Sequence, residues 1–372
     1  MFTFLLLIII IAIFQQRNDM HIFKTSVLSL LVGMAATSAS AATVPAPQFS
    51  LTRFNYSTPA DVYAGSINSQ GQIFGSGYSE GKNVWFSTSG TSLNVSDPLP
   101  GNMVIGSLNA SGQGIAYSEA NSGDRIYYYV ENGAYTLLAV NGLPGHPGNI
   151  SETGQVTLNT FDSAHNARAY VYSSAGGYQE IDAAGASIAA YDINSSGSVV
   201  GYSKGANGAN TAYLYANGVI TQLVSEHDSP SAATGINNAG QITGRQTSGR
   251  GINGTEAFIW SNGIRQTVPK LSDSIGIDGL GRVLGYNDFG TSAMLWDGND
   301  TYDLNDLIGE DGWYFGQVGD INEAGQISAY GCRNSICEVV RLDPVSPVPE
   351  PATYAMLLAG MALLTCAARK RC

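Results

Sequence analysis

Charge is scarce in this sequence. Only 12% of the 372 residues are Asp, Glu, Lys or Arg, and acids outnumber bases 29 to 17, for a formal net charge of −12. No basic stripe or cluster lies in the body of the chain. Arg17, Lys24, Arg369, Lys370 and Arg371 all sit near the two ends, so the middle is more acidic than the whole. A surface of this sign excludes partners held through phosphate contacts, nucleic acid and anionic lipid above all. It would also repel a strongly anionic polysaccharide unless divalent cations bridged the two. Histidine is as rare, with four in all. His146, His165 and His227 are widely separated and never approach the His-x-x-x-His spacing of a helical zinc site. No helix is expected in the body, so no Gly-x-Ser-x-Gly elbow and no glycine-rich phosphate loop leads into one. There are four cysteines. Cys366 and Cys372 lie near the C-terminus, which leaves Cys332 and Cys337. In an oxidising compartment these two are expected to form a small hairpin disulfide. A redox pair or half of a metal site is the alternative reading of their spacing.

Glycine and tyrosine are abundant instead, at 45 and 20 residues. Glycine-rich turns between aromatic strands indicate an all-β protein. The clearest copy of the repeating unit is Thr234–Val268. Its first turn, Asn237-Asn238-Ala239-Gly240, follows Gly235-Ile236 and precedes the alternating run Gln241-Ile242-Thr243-Gly244. Its second half, Ala257-Phe258-Ile259-Trp260, Ser261-Asn262-Gly263 and Ile264–Val268, reads as two strands around an Asn-Gly hairpin. The turn glycine recurs at Gly71, Gly112, Gly154, Gly197, Gly240, Gly281 and Gly325. Three residues before each stands Asn68, Asn109, Ser151, Asn194, Asn237, Asp278 or Asn322, always preceded by Ile or Leu. Trp85, Tyr129, Tyr172, Tyr215, Trp260 and Trp296 are read as equivalent third-strand aromatics of an inter-blade core.

A unit of about 40–45 residues with four short strands has the period of a propeller blade, and stacking copies buries the faces that one copy cannot. The expected fold is therefore a seven-bladed β-propeller over 43–345, with an open β-solenoid as the alternative. The seventh copy is short, because Pro344 is expected to end strand pairing after a third strand at Cys337–Leu342. The N-terminal segment is expected to supply the missing strand, Ser50–Asn55 pairing with Glu338–Leu342. That closes the ring and removes its open edge.

The ends give the address. Met20-His21-Ile22-Phe23-Lys24, an apolar run and Ala39-Ser40-Ala41 read as a secretory signal over 20–42, cleaved after Ala41 or Ala42. Residues 1–19 read as an upstream leader, with a short N-terminal anchor at Phe2–Phe14 as the alternative. At the other end, Val348-Pro349-Glu350-Pro351 precedes the uncharged run Ala352–Ala368 and then Arg369-Lys370-Arg371. A separate hydrophobic helix with a cytoplasmic basic end is expected there. Pro349, Glu350, Pro351, the helix and Arg369, Lys370 and Arg371 resemble the PEP-CTERM sorting tail of Gram-negative bacteria. That resemblance implies transient insertion in the inner membrane, an exosortase as processing partner, cleavage near Pro349-Glu350-Pro351 and release to the cell surface or extracellular polymer. The alternative is a plain C-terminal membrane anchor. The blades, in Ile236–Ile242 and Ala257–Gly263, resemble HAF-type extracellular repeats. Glu256 stands where that pattern has its histidine, so nothing resting on that histidine is implied.

No catalytic constellation emerges. The densest acidic stretch holds Asp297, Asp300, Asp303, Asp306, Glu310 and Asp311. Its start resembles a calcium loop, but the glycine and the terminal glutamate of an EF-hand are out of place. By repeat alignment Asp297–Asp300 is a hairpin turn. No cofactor and no metal is expected, with Ca2+ at Asp297–Asp300 as the alternative to the turn reading. Trp313, Tyr314 and Phe315, off the repeat pattern in the loop before the seventh unit, are the candidate ligand-binding aromatics. The expected function is an exported, non-catalytic propeller that is a structural or binding component of the cell surface or exopolysaccharide matrix. The alternatives are a carbohydrate-active enzyme or a lectin-like glycan binder using loops on one face.

Overall fold

The structure, a computed structural model, describes residues 46–55, 61–79, 82–96, 103–119, 124–205, 208–223, 229–248 and 254–345. The expected signal segment with Ala39 and Ala41, the tail with Pro349, Glu350, Pro351, Arg369, Lys370 and Arg371, and the C-terminal helix expected there lie outside the described residues.

Seven four-stranded antiparallel sheets form a seven-bladed β-propeller. The chain begins with β1 (Gln48–Arg53). Blade 1 is β2 (Asp61–Ile67), β3 (Ile73–Ser79), β4 (Lys82–Ser89) and β5 (Ser92–Ser96). Blade 2 is β6 (Met103–Leu108), β7 (Gly114–Glu119), β8 (Arg125–Glu131) and β9 (Ala134–Leu137). A two-stranded hairpin, β10 (Ala139–Val140) and β11 (Leu143–Pro144), follows it. Blade 3 is β12 (His146–Ile150), β13 (Val156–Phe161), β14 (Ala167–Ser173) and β15 (Gly177–Glu180). Blade 4 is β16 (Ile188–Ile193), β17 (Val199–Lys204), β18 (Asn210–Ala216) and β19 (Val219–Gln222). Blade 5 is β20 (Ser231–Ile236), β21 (Ile242–Thr247), β22 (Thr255–Ser261) and β23 (Ile264–Thr267). Blade 6 is β24 (Asp273–Ile277), β25 (Val283–Tyr286), β26 (Ala293–Trp296) and β27 (Thr301–Asp303). A 3-10 turn at Leu304–Leu307 leads to blade 7, made of β28 (Tyr314–Ile321), β29 (Ile327–Arg333), β30 (Ile336–Val345) and β1.

The repeat signature is explained by what its Asn does. In blade 5 the Asn237 Oδ1 accepts the N–H of Gln241 at 2.9 Å, which closes the turn. Gly240 at its end has φ +77°, a conformation a Cβ would oppose. The Asn237 Nδ2 donates to the Asp278 carbonyl of blade 6 at 2.7 Å. The same reach to the next blade joins Asn109 to Ser151, Asn194 to Asn237, and Asn322 to Asn68 across the closing seam. One side chain thus shapes its own turn and ties two blades. Ser151 keeps the first task only, accepting the Gln155 N–H at 3.1 Å. Asp278 has no amide to donate. Its Oδ2 instead accepts from the buried Arg282 Nε at 2.6 Å.

Apolar burial divides the same way. The described core falls into seven clusters, one per seam, such as Val200, Leu223, Ile236, Ile242 and Phe258 between blades 4 and 5. Each sheet therefore gains its hydrophobic stabilisation from its neighbours.

Closure runs further along the chain than Pro344 suggested. β1 pairs antiparallel with β30 from Gln48↔Val345 to Arg53↔Val340, with Phe49 opposite Pro344. The partner on the other side of β30 ends at Ile327↔Leu342, so Pro344 has no ladder there to break. A second correction concerns the aromatics. Tyr172, Tyr215, Trp260 and Trp296 share one register position, opposite Val156, Val199, Ile242 and Val283. Val130 holds it in blade 2, opposite Gly114, so Tyr129 is one residue off, and Trp85 pairs with Ser76 further along its strand.

Candidate functional site

Every blade's first strand carries a register shift just before the signature Asn, Ser or Asp. Such bulges re-aim one residue. They line a cavity of about 450 Å³ on which all seven blades border, and Ser66, Ser107, Asn149, Asp192, Gly276 and Asp320 are among its walls. The polar members tie neighbouring blades together. Ser66 Oγ donates to the Gly106 carbonyl at 3.0 Å. Asn149 Nδ2 donates to Asp192 Oδ1 at 2.8 Å, and Asp192 Oδ2 accepts the Ile236 N–H at 2.8 Å. Asp320 accepts the N–H of Ile321 at 2.8 Å and that of Ile67 across the closing seam.

The bore is electronegative. Burial pushes the Asp320 carboxyl up to about 7, the charge of Asp192 adds to the rise, and the N–H groups of Ile321 and Ile67 oppose it. Burial raises Asp192 as well, against hydrogen bonds from Ile236, Ile193 and Asn149. Both keep some accessible area because they face the cavity, while protein encloses them elsewhere. At the turn end, Glu152 accepts the N–H groups of Ser69 and Ala110. Glu323 accepts that of Asn238 at 2.7 Å, and burial raises its pKa. These carboxylates act as acceptors that hold the inner ring together. Among the described residues no group of three or more His, Cys, Asp or Glu is placed to hold a metal ion. Asp297 Oδ1 accepts the N–H groups of Asn299 and Asp300, as a hairpin turn requires.

The loop aromatics split. Trp313 and Phe315 are buried and stacked, with centroids 5.7 Å apart, whereas Tyr314 is 52% exposed and donates its hydroxyl to the Thr291 carbonyl. Trp313 Nε1 and the Arg333 guanidinium both reach Glu310, which fixes the loop to blade 7. Cys332 and Cys337 face each other on β29 and β30 and are joined by a disulfide.

A second cluster, missed in the sequence, lies on the face opposite the Asn turns. Tyr117, Tyr127, His146 and Phe161 follow one another with ring centroids 6.1, 6.0 and 5.8 Å apart, and the Arg125 guanidinium covers Tyr117 at 4.4 Å. A signal was available. At the third-strand position of Tyr127, blades 3 to 6 carry Ala169, Ala212, Ala257 and Ala293. The string Gly201-Tyr202-Ser203-Lys204-Gly205 fits the nucleophile-elbow pattern in letters alone. Ser203 is buried along β17 and accepts from Gln222 Nε2.

Residues 347–371 match a family model described as the PEP-CTERM protein-sorting motif. The chain ends in a sorting signal. That motif implies export and handling by an exosortase-type system, so the protein is a secreted β-propeller with a membrane-anchored sorting tail. No curated protein matches the chain. Among solved structures, the β-propeller domain of the Trilobed protease from Pyrococcus furiosus aligns at TM-score 0.52 and 8% identity, over 78% of this chain and 100% of that one. It is described as having an open velcro topology, whereas here β1 closes the last blade. The Pyrococcus horikoshii acylaminoacyl peptidase aligns at 0.51 and 9% identity, over 80% of this chain and 54% of its own. A puromycin-hydrolyzing peptidase of Mycobacterium tuberculosis aligns at 0.51 and 10% identity, over 82% and 58%. This chain thus spans little more than half of either peptidase. At such identities the likeness is one of fold.

Proposed function

We propose that the protein is an exported, non-catalytic propeller that serves as a structural or binding component of the cell surface or exopolysaccharide matrix. The observation that carries this reading is the pairing of a sorting tail at 347–371 with a ring sealed by its own first strand. A ring whose last blade is completed by its own first strand stays rigid once released and leaves only short sheet edges at its rim. The bore carboxylates are engaged by backbone N–H groups, which favours a structural role for them over the acid–base pair of a glycosidase. The blades are read as HAF-type repeats. The export signal is assigned to 20–42 with cleavage after Ala41 or Ala42, and tail removal is assigned near Pro349-Glu350-Pro351, with Arg369, Lys370 and Arg371 left in the cytoplasm.

The second reading, a lectin-like glycan binder, is favoured by the exposed aromatics of the loop face, Tyr314 among them. The test of the main reading replaces Pro349, Glu350 and Pro351 together by alanine in a host with an exosortase. The native chain should appear in the matrix fraction in shortened form, and the variant should stay in the membrane at full length. Equal release of both, or retention of both, would defeat the proposal.

A further inference from the structure

The seam between blades 2 and 3 differs from the other six. Among the described residues, the innermost strands of neighbouring blades approach closely at every seam except that between β6 and β12. On β8 the run Tyr127-Tyr128-Tyr129 places a tyrosine where blades 3 to 6 have alanine and blade 1 has Trp85. Tyr129 fills the lower part of the gap, buried edge-on against Tyr172 at 5.1 Å, and its hydroxyl donates to the Gly154 carbonyl. Leu158 and Leu138 complete that floor. The turn end of the seam is clasped by Asn109 to Ser151. At the opposite end the seam carries the strip Tyr117, Tyr127, His146 and Phe161. His146 is exposed, Phe161 is 49% exposed, and Tyr117 and Tyr127 are half-buried.

From this arrangement we infer that the strip across the mouth of the blade 2–blade 3 seam binds an uncharged pyranose unit of a polysaccharide. The inference rests on the matrix-component reading above and names its ligand class and site. Two facts select a neutral sugar. The chain carries a net charge of −12, so an anionic polymer meets overall repulsion, and beside the strip the charge of Arg125 is balanced by Glu119. Arg125 already covers Tyr117, and the more exposed rings of the row, His146 and Phe161, offer faces for the C–H groups of a sugar, whose positive edge an aromatic face attracts. Arg125, His146 and Glu119 at the border supply donors and an acceptor for ring hydroxyls.

The test is affinity electrophoresis of the full-length chain in mild detergent, in gels holding dextran, laminarin, xylan or alginate. Phe161→Ala and Tyr127→Ala are compared with Tyr78→Ala, an equally exposed tyrosine on the same face, with thermal melts to check folding. At least one neutral polymer should retard the native chain, and both strip variants should weaken that retardation about tenfold, as loss of an anchoring aromatic does. Tyr78→Ala should leave it unchanged. Phe161→Ala keeps the test decisive if Tyr127→Ala fails to fold. Retardation that persists in the strip variants would overturn the site while leaving the matrix reading intact. Retardation by alginate alone, or by no neutral polymer, would overturn the ligand. A change of oligomeric state on replacing Phe161 would show an interface between copies and overturn it too.

Discussion

Asn322 offers the sharpest test of how the ring is held shut. Its Oδ1 accepts the N–H groups of Ala324 and Gln326 at 3.1 and 3.0 Å, and its Nδ2 donates to the Asn68 carbonyl of blade 1 at 2.8 Å. Asn322→Ala removes the turn cap and one of the two donors to the Asn68 carbonyl, which still accepts the Gly71 N–H at 2.9 Å. A lost cap is worth about 1 kcal/mol, and a lost net hydrogen bond about 0.5–1.5 kcal/mol. The sum, about 1.5–2.5 kcal/mol, corresponds to a fall in Tm of roughly 2–4 °C for a ring of about 300 residues. Asn322→Ser, which copies Ser151, keeps a turn acceptor and loses the amide donor to Asn68 and Gln326, so it should lie between alanine and wild type. Asn237→Ala, whose Nδ2 makes the equivalent bond to Asp278 inside the ring, should cost about as much, if closure depends on the same bond as every other seam. Thermal unfolding followed by circular dichroism measures all three. The reasoning fails if Asn322→Ala melts within about 1 °C of wild type, or if Asn322→Ser is the more damaging of the two.

The pH dependence has a definite sign. The folded-state pKa of Asp320 is raised from 3.8 to about 7, so the folded protein holds a proton that the unfolded chain releases, and stability falls as pH rises from about 4 through 7. Denaturant melts at pH 5 and pH 8 should show the loss, and Asp320→Asn should shrink it; an equal loss in the variant would point to another group. The disulfide closes a short loop between Cys332 and Cys337, so replacing both by serine should cost about 2 kcal/mol in the chain-entropy account. A much larger loss in urea unfolding would mean that the pair also supports the loop held by Glu310 and Arg333.

The repeat was legible because every blade must solve the same local problem. A reversal that ends on a left-handed residue requires Gly71, Gly240 and their equivalents, and Asn caps it from three residues before. Those rules act within a few residues, so they leave a mark in each copy, and seven marks gave seven blades. The hairpin pairing of Cys332 with Cys337 is equally local. The ring decided the rest. The second task of Asn, its amide reaching the next blade, joins residues more than 40 positions apart, and only closure brings them together. Strand pairing past Pro344 depended on where β29 stops, which the letters around the proline do not record. Trp313 and Phe315 looked available because they leave the pattern, but packing against blade 7 consumed them. Tyr127 left no such mark, because only its register shows that it stands where blades 3 to 6 have alanine, at the seam whose innermost strands do not approach closely. Local backbone chemistry thus set the blade. Closure chose which polar atoms meet in the bore and which rings reach solvent, because those depend on distances around a circle that no short stretch contains.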